Sequence, residues 1–331
     1  MVDQLKRVPE AKERHAVAPP GQNPPYLWLS GELVRWEDAT VHITQVGWPA
    51  VSGVFEGIRA YWNEAQQALY VFHLDEHMKR FANSMKVMRL VPDLNPGQIA
   101  EGVCDLLQAN QVAEDAYCQP LAFPSGVMMG SRAVLERRPE IVITSRPAPS
   151  ELFSGRAGKA CVSSWTRISD NVMPPRIKAL SNYQNSRLAS NEAALNGYDS
   201  PILLNAYGKV AEGPGSCIAI VRDGSVITPP VTASILESIT RVAVLELLRD
   251  SLGVKAIERD IDRTELYIAD EIFFIGTHAE IHPATSVDGY RTGNGEIGPI
   301  TRRLAETFDR LVRGKDERYL HWLTRVEPGR D

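Results

Sequence analysis

Apolar and polar positions alternate with two different periods along the chain, and the period changes often. YLWLSGELVRW alternates about Ser30-Gly31, as two strands in a tight hairpin would. VHITQVGWP and GIRAYWNEAQQALYVF continue the strand pattern, the latter with a turn near Asn63-Glu64. LDEHMKRFANSMKVM then sets Leu74, Met78, Phe81 and Met85 at helical spacing, and Asn95-Pro96 opens a second helix, PGQIAEGVCDLLQAN. AYCQPLAF and EIVITSR read as strands. In the second half KACVSSWT, SPILLNAYGKVAEG, CIAIVRDGSVITP and DEIFFIGT are strand-like. Asp223-Gly224 predicts a two-residue hairpin, because that dipeptide tolerates positive φ. Helices are expected over Gln184–Asn196, over SITRVAVLELLRDSLG with Gly253 as its stop, and over PITRRLAETFDRLVRG with Pro299 in its first turn.

This pattern predicts an α+β chain in which strands and helices are partly segregated. Its 331 residues suggest about two domains of ~150 residues. The expected divisions are a charged, then Pro/Gly-rich arm over 1–24, a small α+β domain over 25–146, and a linker over 147–155 where prolines, serines and a glycine break the periodicity. A large domain follows over 156–331. Composition is that of an ordinary globular protein, 44% hydrophobic and 23% charged. A net charge of −5 argues against nucleic-acid binding, which favours a basic stripe. No apolar run approaches the ~20 residues of a membrane span. MVDQLKRVPEAKERH lacks the apolar stretch of a secretory signal. Cys104, Cys118, Cys161 and Cys217 form no C-x-x-C, and reduced core residues in a cytoplasmic protein are expected.

Two motifs mislead. His73-Leu-Asp-Glu76-His77 matches an inverted zinc-protease pattern, but Leu74-Asp75 reads as a helix start, which puts His73 outside the helix. No metal is expected. Gly293-Asn-Gly295-Glu-Ile-Gly298 is a literal G-x-G-x-x-G, yet only a weak strand precedes it and no βαβ unit follows. A glycine-rich loop entering the last helix is the better reading.

The candidate chemistry lies elsewhere. PPRIKALSNY holds one lysine, Lys178, followed by Asn182 and Tyr183. LESITR opens a helix whose first N–H groups are free, a cup for an anion, with Ser238, Ile239 and Thr240 at its mouth. A plain Ser/Thr N-cap gives the same sequence. FFIGTHAE leaves Gly276 and Thr277 just past an apolar run, and Glu212 sits among small and rigid residues in KVAEGPGS.

Taken in order, FEGIRAY, EHMKRF, IKALSNY, AEGPGS, ESITR, GTHAEI and GPITRR resemble the class IV (fold type IV) pyridoxal-phosphate aminotransferases, and among them the branched-chain amino-acid enzymes, over about residues 25–315. The resemblance implies a small α+β domain beside a larger pseudo-barrel domain, pyridoxal 5'-phosphate as cofactor, and a homodimer with its site near the interface. Lys178 would be the Schiff-base lysine and proton shuttle. Arg80, Ile239, Thr240 and Thr277, with Ser238 at the same helix mouth, would hold the phosphate. Tyr183, supported by Arg167, would bond the phenolic oxygen, and Glu212 would pair with the ring nitrogen. Substrate would meet Phe55, Arg59, Tyr117, Gln119, Arg132, Gly276, Thr277 and His278.

The chain departs from the branched-chain pattern at three places. Gln119 replaces the arginine of Tyr-x-Arg that receives a distal carboxylate, leaving Arg132 or His278 as replacement cations. Ala50 stands where an aromatic is usual, and His278 where a small residue is. The implied activity is ping-pong exchange of an amino group between a hydrophobic, branched-chain L-amino acid and a 2-oxo acid. An (R)-selective amine or D-amino-acid transaminase, an aminodeoxychorismate-type lyase and a non-catalytic phosphate-binding relative are the alternatives.

Overall fold

The computed structural model describes residues 23–42, 51–125 and 138–327. Two sheets organise them. In the first, β17 (Leu323–Val326), β5 (Ala68–Phe72), β4 (Ile58–Asn63), β6 (Ala116–Pro124), β7 (Pro139–Pro147), β1 (Tyr26–Leu29) and β2 (Glu32–Arg35) lie in that order, with β3 (Val54–Phe55) on β6. The alternation in the sequence becomes a strict one here: β6 buries every second side chain. Helices α1 (Leu74–Val87) and α2 (Pro96–Ala109) cover this sheet. Leu74, Met78, Phe81 and Met85 do form one buried face, each contributing about 1.5–3 kcal/mol relative to exposure. Asn95 caps α2 in a full capping box with Gln98. Gly102 lets α2 approach β1, since a Cβ there would strike the Trp28 indole at 2.5 Å.

The second sheet runs β10 (Val210–Glu212), β9 (Ser200–Leu204), β8 (Gly158–Thr166), β15 (Glu280–Val287), β14 (Glu271–Gly276), β11 (Cys217–Arg222), β12 (Ser225–Thr228) and β13 (Ala256–Glu258), with β16 (Tyr290–Arg291) on β15. Helices α3 (Tyr183–Leu195), α4 (Ile239–Asp250) and α5 (Pro299–Val312) pack on it. The Asp223-Gly224 hairpin forms as expected, with φ of 50° and 71°. The G-x-G-x-x-G stretch is the loop leading into α5, whose first turn carries Pro299. This is the α+β, fold type IV arrangement the sequence implies. Strand β17, the last of the chain, returns to the first sheet and pairs with β5, so the C-terminal segment contributes to both layers. No described helix is long and apolar enough to cross a membrane.

Strands β8 and β9 are parallel, and parallel neighbours need a crossover. That crossover is the Lys178 segment followed by α3. The segment is pinned to the first sheet as well. Phe55 N–H donates to the Lys178 carbonyl at 2.9 Å and Leu180 N–H to the Gly53 carbonyl at 3.0 Å. Buried Asn182 clamps the loop from within, donating to the carbonyls of Pro174 (2.9 Å) and Ile177 (2.8 Å).

Candidate active site

A cavity of about 1080 Å³ opens between the two sheets, and Lys178 stands in it. Its side chain is 9% exposed. Nζ donates to the Tyr183 hydroxyl at 2.7 Å and lies 4.7 Å from the centre of the Phe55 ring, which meets Tyr183 edge-on at 4.9 Å. Burial and the nearby Arg80 cation work against the ammonium. Tyr183, Glu56 and Tyr117 outweigh them, and the net direction is upward. The free amine therefore holds its proton at neutral pH and must give it up before it attacks a carbonyl.

Glu212, at the end of β10, faces the same cavity. Its carboxylate takes 2.7 Å contact from Arg167 and a hydrogen bond from Leu236 N–H at 3.1 Å. Burial raises its proton affinity, and Arg167, Leu236 and Lys178 do not fully reverse that. Arg167 is thus committed to Glu212, with longer bonds to Asn185 and Ser186 at 3.5 Å, rather than to Tyr183, the partner the resemblance implies.

The N-terminus of α4 supplies the cup. Ser238 caps the helix, accepting from Arg241 N–H at 3.2 Å, which leaves the first-turn N–H groups of Ile239 and Thr240 without intrahelical partners. Thr240 Oγ1 is buried and has no hydrogen-bond partner among the described residues. Buried hydroxyls are normally satisfied, so an unpartnered one beside free N–H groups is what an absent anion would leave. Arg80, from α1, also lines the cavity. Its Nε and NH2 fork onto Glu56 at 2.7 and 2.8 Å, and NH1 donates to the Glu237 carbonyl at 2.8 Å. Each terminal nitrogen keeps a second N–H for an anion. Across the cavity, Gly276 brings its backbone close to Gly215 and Ser216; an added Cβ would sit 3.3 Å from both. An amine, a buried carboxylate and an anion cup around one cavity fit a phosphorylated pyridine aldehyde.

The structure gathers Phe55, Arg80, Tyr117, Lys178, Tyr183, Glu212, Ser238, Gly276, Thr277 and His278 around this cavity. Tyr117 reaches it because Gly57 lacks a side chain; its hydroxyl fills the place of the missing Cβ. Arg59 is not on the cavity wall. It is buried, donating to the carbonyls of Thr277 (3.1 Å) and Ala148 (3.0 Å) and lying 3.5 Å from Glu280. It positions the Thr277 turn instead of touching the cavity. Gln119 shares a sheet face with Tyr117 but is not on the wall either. Arg132 and Ala50 lie outside the described residues.

Sequence reasoning passed over Glu56 and His77. Glu56 lies inside FEGIRAY, and its burial under Arg80 has no local signature. His77 belongs to the false zinc motif, where its Nδ1 meets Glu56 at 2.7 Å. Glu76, by contrast, is on the exposed face beside Lys79, and His73 takes a left-handed conformation ahead of α1. No group of three metal-ligating side chains occurs among the described residues. Cys217 also lines the cavity, but burial pushes its thiol up to about 12, which keeps it unreactive.

Known proteins resemble this chain in sequence and in fold. The Amino-transferase class IV family model matches residues 53–287. A probable branched-chain-amino-acid aminotransferase of Aquifex aeolicus is 40% identical over 301 residues, spanning 91% of this chain and 96% of its own length. The branched-chain-amino-acid aminotransferase of Escherichia coli K12 is 37% identical over 304 residues, spanning 91% and 97%. Among solved structures, the PLP-form branched-chain amino acid aminotransferase of Thermobaculum terrenum superposes with a TM-score of 0.90 at 49% identity, covering 92% of this chain and 99% of that one. The chain belongs to the class IV aminotransferases.

Proposed function

We propose that the protein is a pyridoxal-phosphate transaminase that moves an amino group between a branched-chain L-amino acid and a 2-oxo acid in two half-reactions. The carrying observation is Lys178 Nζ, buried in the intersheet cavity with Glu212 on the same wall and the α4 cup beside it. When bound, the cofactor supplies an aldehyde carbon that takes up the amino group and a ring that accepts the electron pair released at the substrate Cα.

The residues divide the work. Lys178 Nζ would hold the aldehyde carbon of the cofactor and would be the base that moves the proton at the substrate Cα. Glu212 holds a proton at the ring nitrogen, and Arg167 keeps that carboxylate turned inward. The Tyr183 hydroxyl, already 2.7 Å from Nζ, orients the phenolic edge. Arg80, the Ile239 and Thr240 N–H groups, the Thr240 hydroxyl and Thr277 hold the phosphate. Phe55 and Tyr117 form an apolar wall that suits a branched aliphatic side chain. A cytoplasmic homodimer with the cavity near the subunit interface completes the reading.

The test is a half-reaction screen. Purified holoenzyme is mixed with L-leucine, L-valine, D-amino acids and (R)-amines, and loss of the cofactor's visible absorption is followed. Fast conversion by the branched L-amino acids is expected. Preference for (R)-amines or D-amino acids, for which Gln119 in place of the usual arginine leaves room, would replace this reading with the (R)-selective one.

A further inference from the structure

The β6 register sets three side chains abreast on one face of the first sheet. Tyr117 pairs with Arg59 on β4 and with Arg146 on β7. The two arginines differ in what they already hold. Arg59 is buried and spent on Thr277, Ala148 and Glu280. Arg146 is exposed at the end of β7; its guanidinium lies 4.8 Å from the Tyr117 ring centre, with one long contact of 3.5 Å to the neighbouring Pro147 carbonyl. Tyr117 in turn meets His278 edge-on at 6.0 Å, and both line the cavity. Among the described residues, Arg146 is thus a cation with no carboxylate partner, separated from the cavity by a single aromatic ring.

Two cations of the cavity wall already hold carboxylates: Arg80 is forked onto Glu56 and Arg167 onto Glu212, while Arg187, on the α3 wall, bonds the neutral Gln184 amide of its own helix. His278 is neutral at pH 7, because burial and the two arginines flanking Tyr117 hold its proton affinity below the ordinary imidazole value. Gln119, two residues along the strand, brings an amide and no charge.

We propose that Arg146 is a specificity-determining residue that receives the distal carboxylate of a 2-oxo diacid or its amino-diacid counterpart, sharing one site with the branched aliphatic side chains. The inference rests on the transaminase reading. An apolar side chain packs on Tyr117 and leaves Arg146 solvated. A diacid extends past the ring and pairs with a guanidinium that Tyr117 already orients by cation–π contact. One site then accepts two chemistries without a buried unpaired charge.

The test compares 2-oxoglutarate with 4-methyl-2-oxopentanoate as amino acceptors of the holoenzyme, in the unchanged chain, Arg146→Met and Arg146→Lys. Arg146→Met should lower kcat/KM for 2-oxoglutarate by about ten- to a hundredfold through KM, leave the monoacid within about twofold, and make glutarate a correspondingly weaker inhibitor. Arg146→Lys should recover part of the loss, and raised salt should weaken diacid binding in the unchanged chain and in Arg146→Lys but not in Arg146→Met. Equal effects on both acceptors, or none, would overturn the assignment while leaving the transaminase intact. If neither acid restores the absorption of the aminated holoenzyme, the transaminase reading itself fails, and this one with it.

Discussion

Glu56 and Glu212 are the same residue type, nearly equally buried, and each faces an arginine, yet their proton affinities move in opposite directions. Burial pushes both upward. At Glu56 it is overcome: both oxygens are occupied by the Arg80 fork, and His77 adds a third bond. At Glu212 one arginine nitrogen and one backbone N–H are not enough. The number and geometry of charge-assisted bonds, more than burial, therefore separate a carboxylate held below the ordinary range from one raised above it. Glu56 is the buried counter-ion that fixes Arg80, and Glu212 faces the cavity that holds Lys178.

Lys178 lies within the field of both carboxylates, and removing it has the largest expected effect. Lys178→Ala should abolish turnover and the visible absorption of the bound cofactor. Cofactor still fixed to the variant by borohydride would show that another amine is the anchor. Glu212→Gln keeps the shape but cannot keep the ring charged. The cofactor should stay bound while each half-reaction slows about 10²–10³-fold, measured by stopped-flow absorbance. Near-normal rates would place Glu212 away from the ring nitrogen.

Glu56→Gln strikes the other carboxylate, and its cost should appear in stability and cofactor retention. Leaving Arg80 without its buried counter-ion should destabilise the fold by about 3 kcal/mol or more, read from denaturant midpoints. An exposed pair would lose much less. The smallest effect is on pH dependence. Glu56 has a folded-state proton affinity below its unfolded one, so its stabilisation is complete above about pH 4.3 and is lost as pH falls toward the folded value. The stability gap between the unchanged chain and Glu56→Gln should be flat from neutral pH to about 5 and shrink by up to about 1.4 kcal/mol per unit below that. A gap that widens on acidification would mean that Glu56 is not the anion described here.

The elements themselves were legible because their signals are local. The α1 face, the Asn95-Pro96 helix start, the Asp223-Gly224 turn and the glycine-rich entry to α5 each rest on residues within a few positions of one another. Lys178, Tyr183, Glu212 and the Ser238–Thr240 mouth were legible as a set, since their order along the chain carries a family resemblance. The local reading failed where partners come from far apart. Arg59 was expected against substrate and instead bonds a carbonyl 218 residues away. Arg167 was assigned to Tyr183 and holds Glu212. His77 was read only as part of a helix start, and its bond to Glu56, 21 residues away, went unseen.

The sequence by itself determined which residues are candidates for the chemistry and where most helices and strands run, because composition, periodicity and capping act over one or two turns of chain. Only the tertiary structure decided what each charge does. A guanidinium or carboxylate takes its role from the two or three groups that face it after burial, and those are supplied by sheet register: β4 and β7 flanking Tyr117, β3 pinning the Lys178 loop, Gly57 making room for a phenol. The energy of a buried charge depends on that count of partners, and no spacing along the chain encodes it.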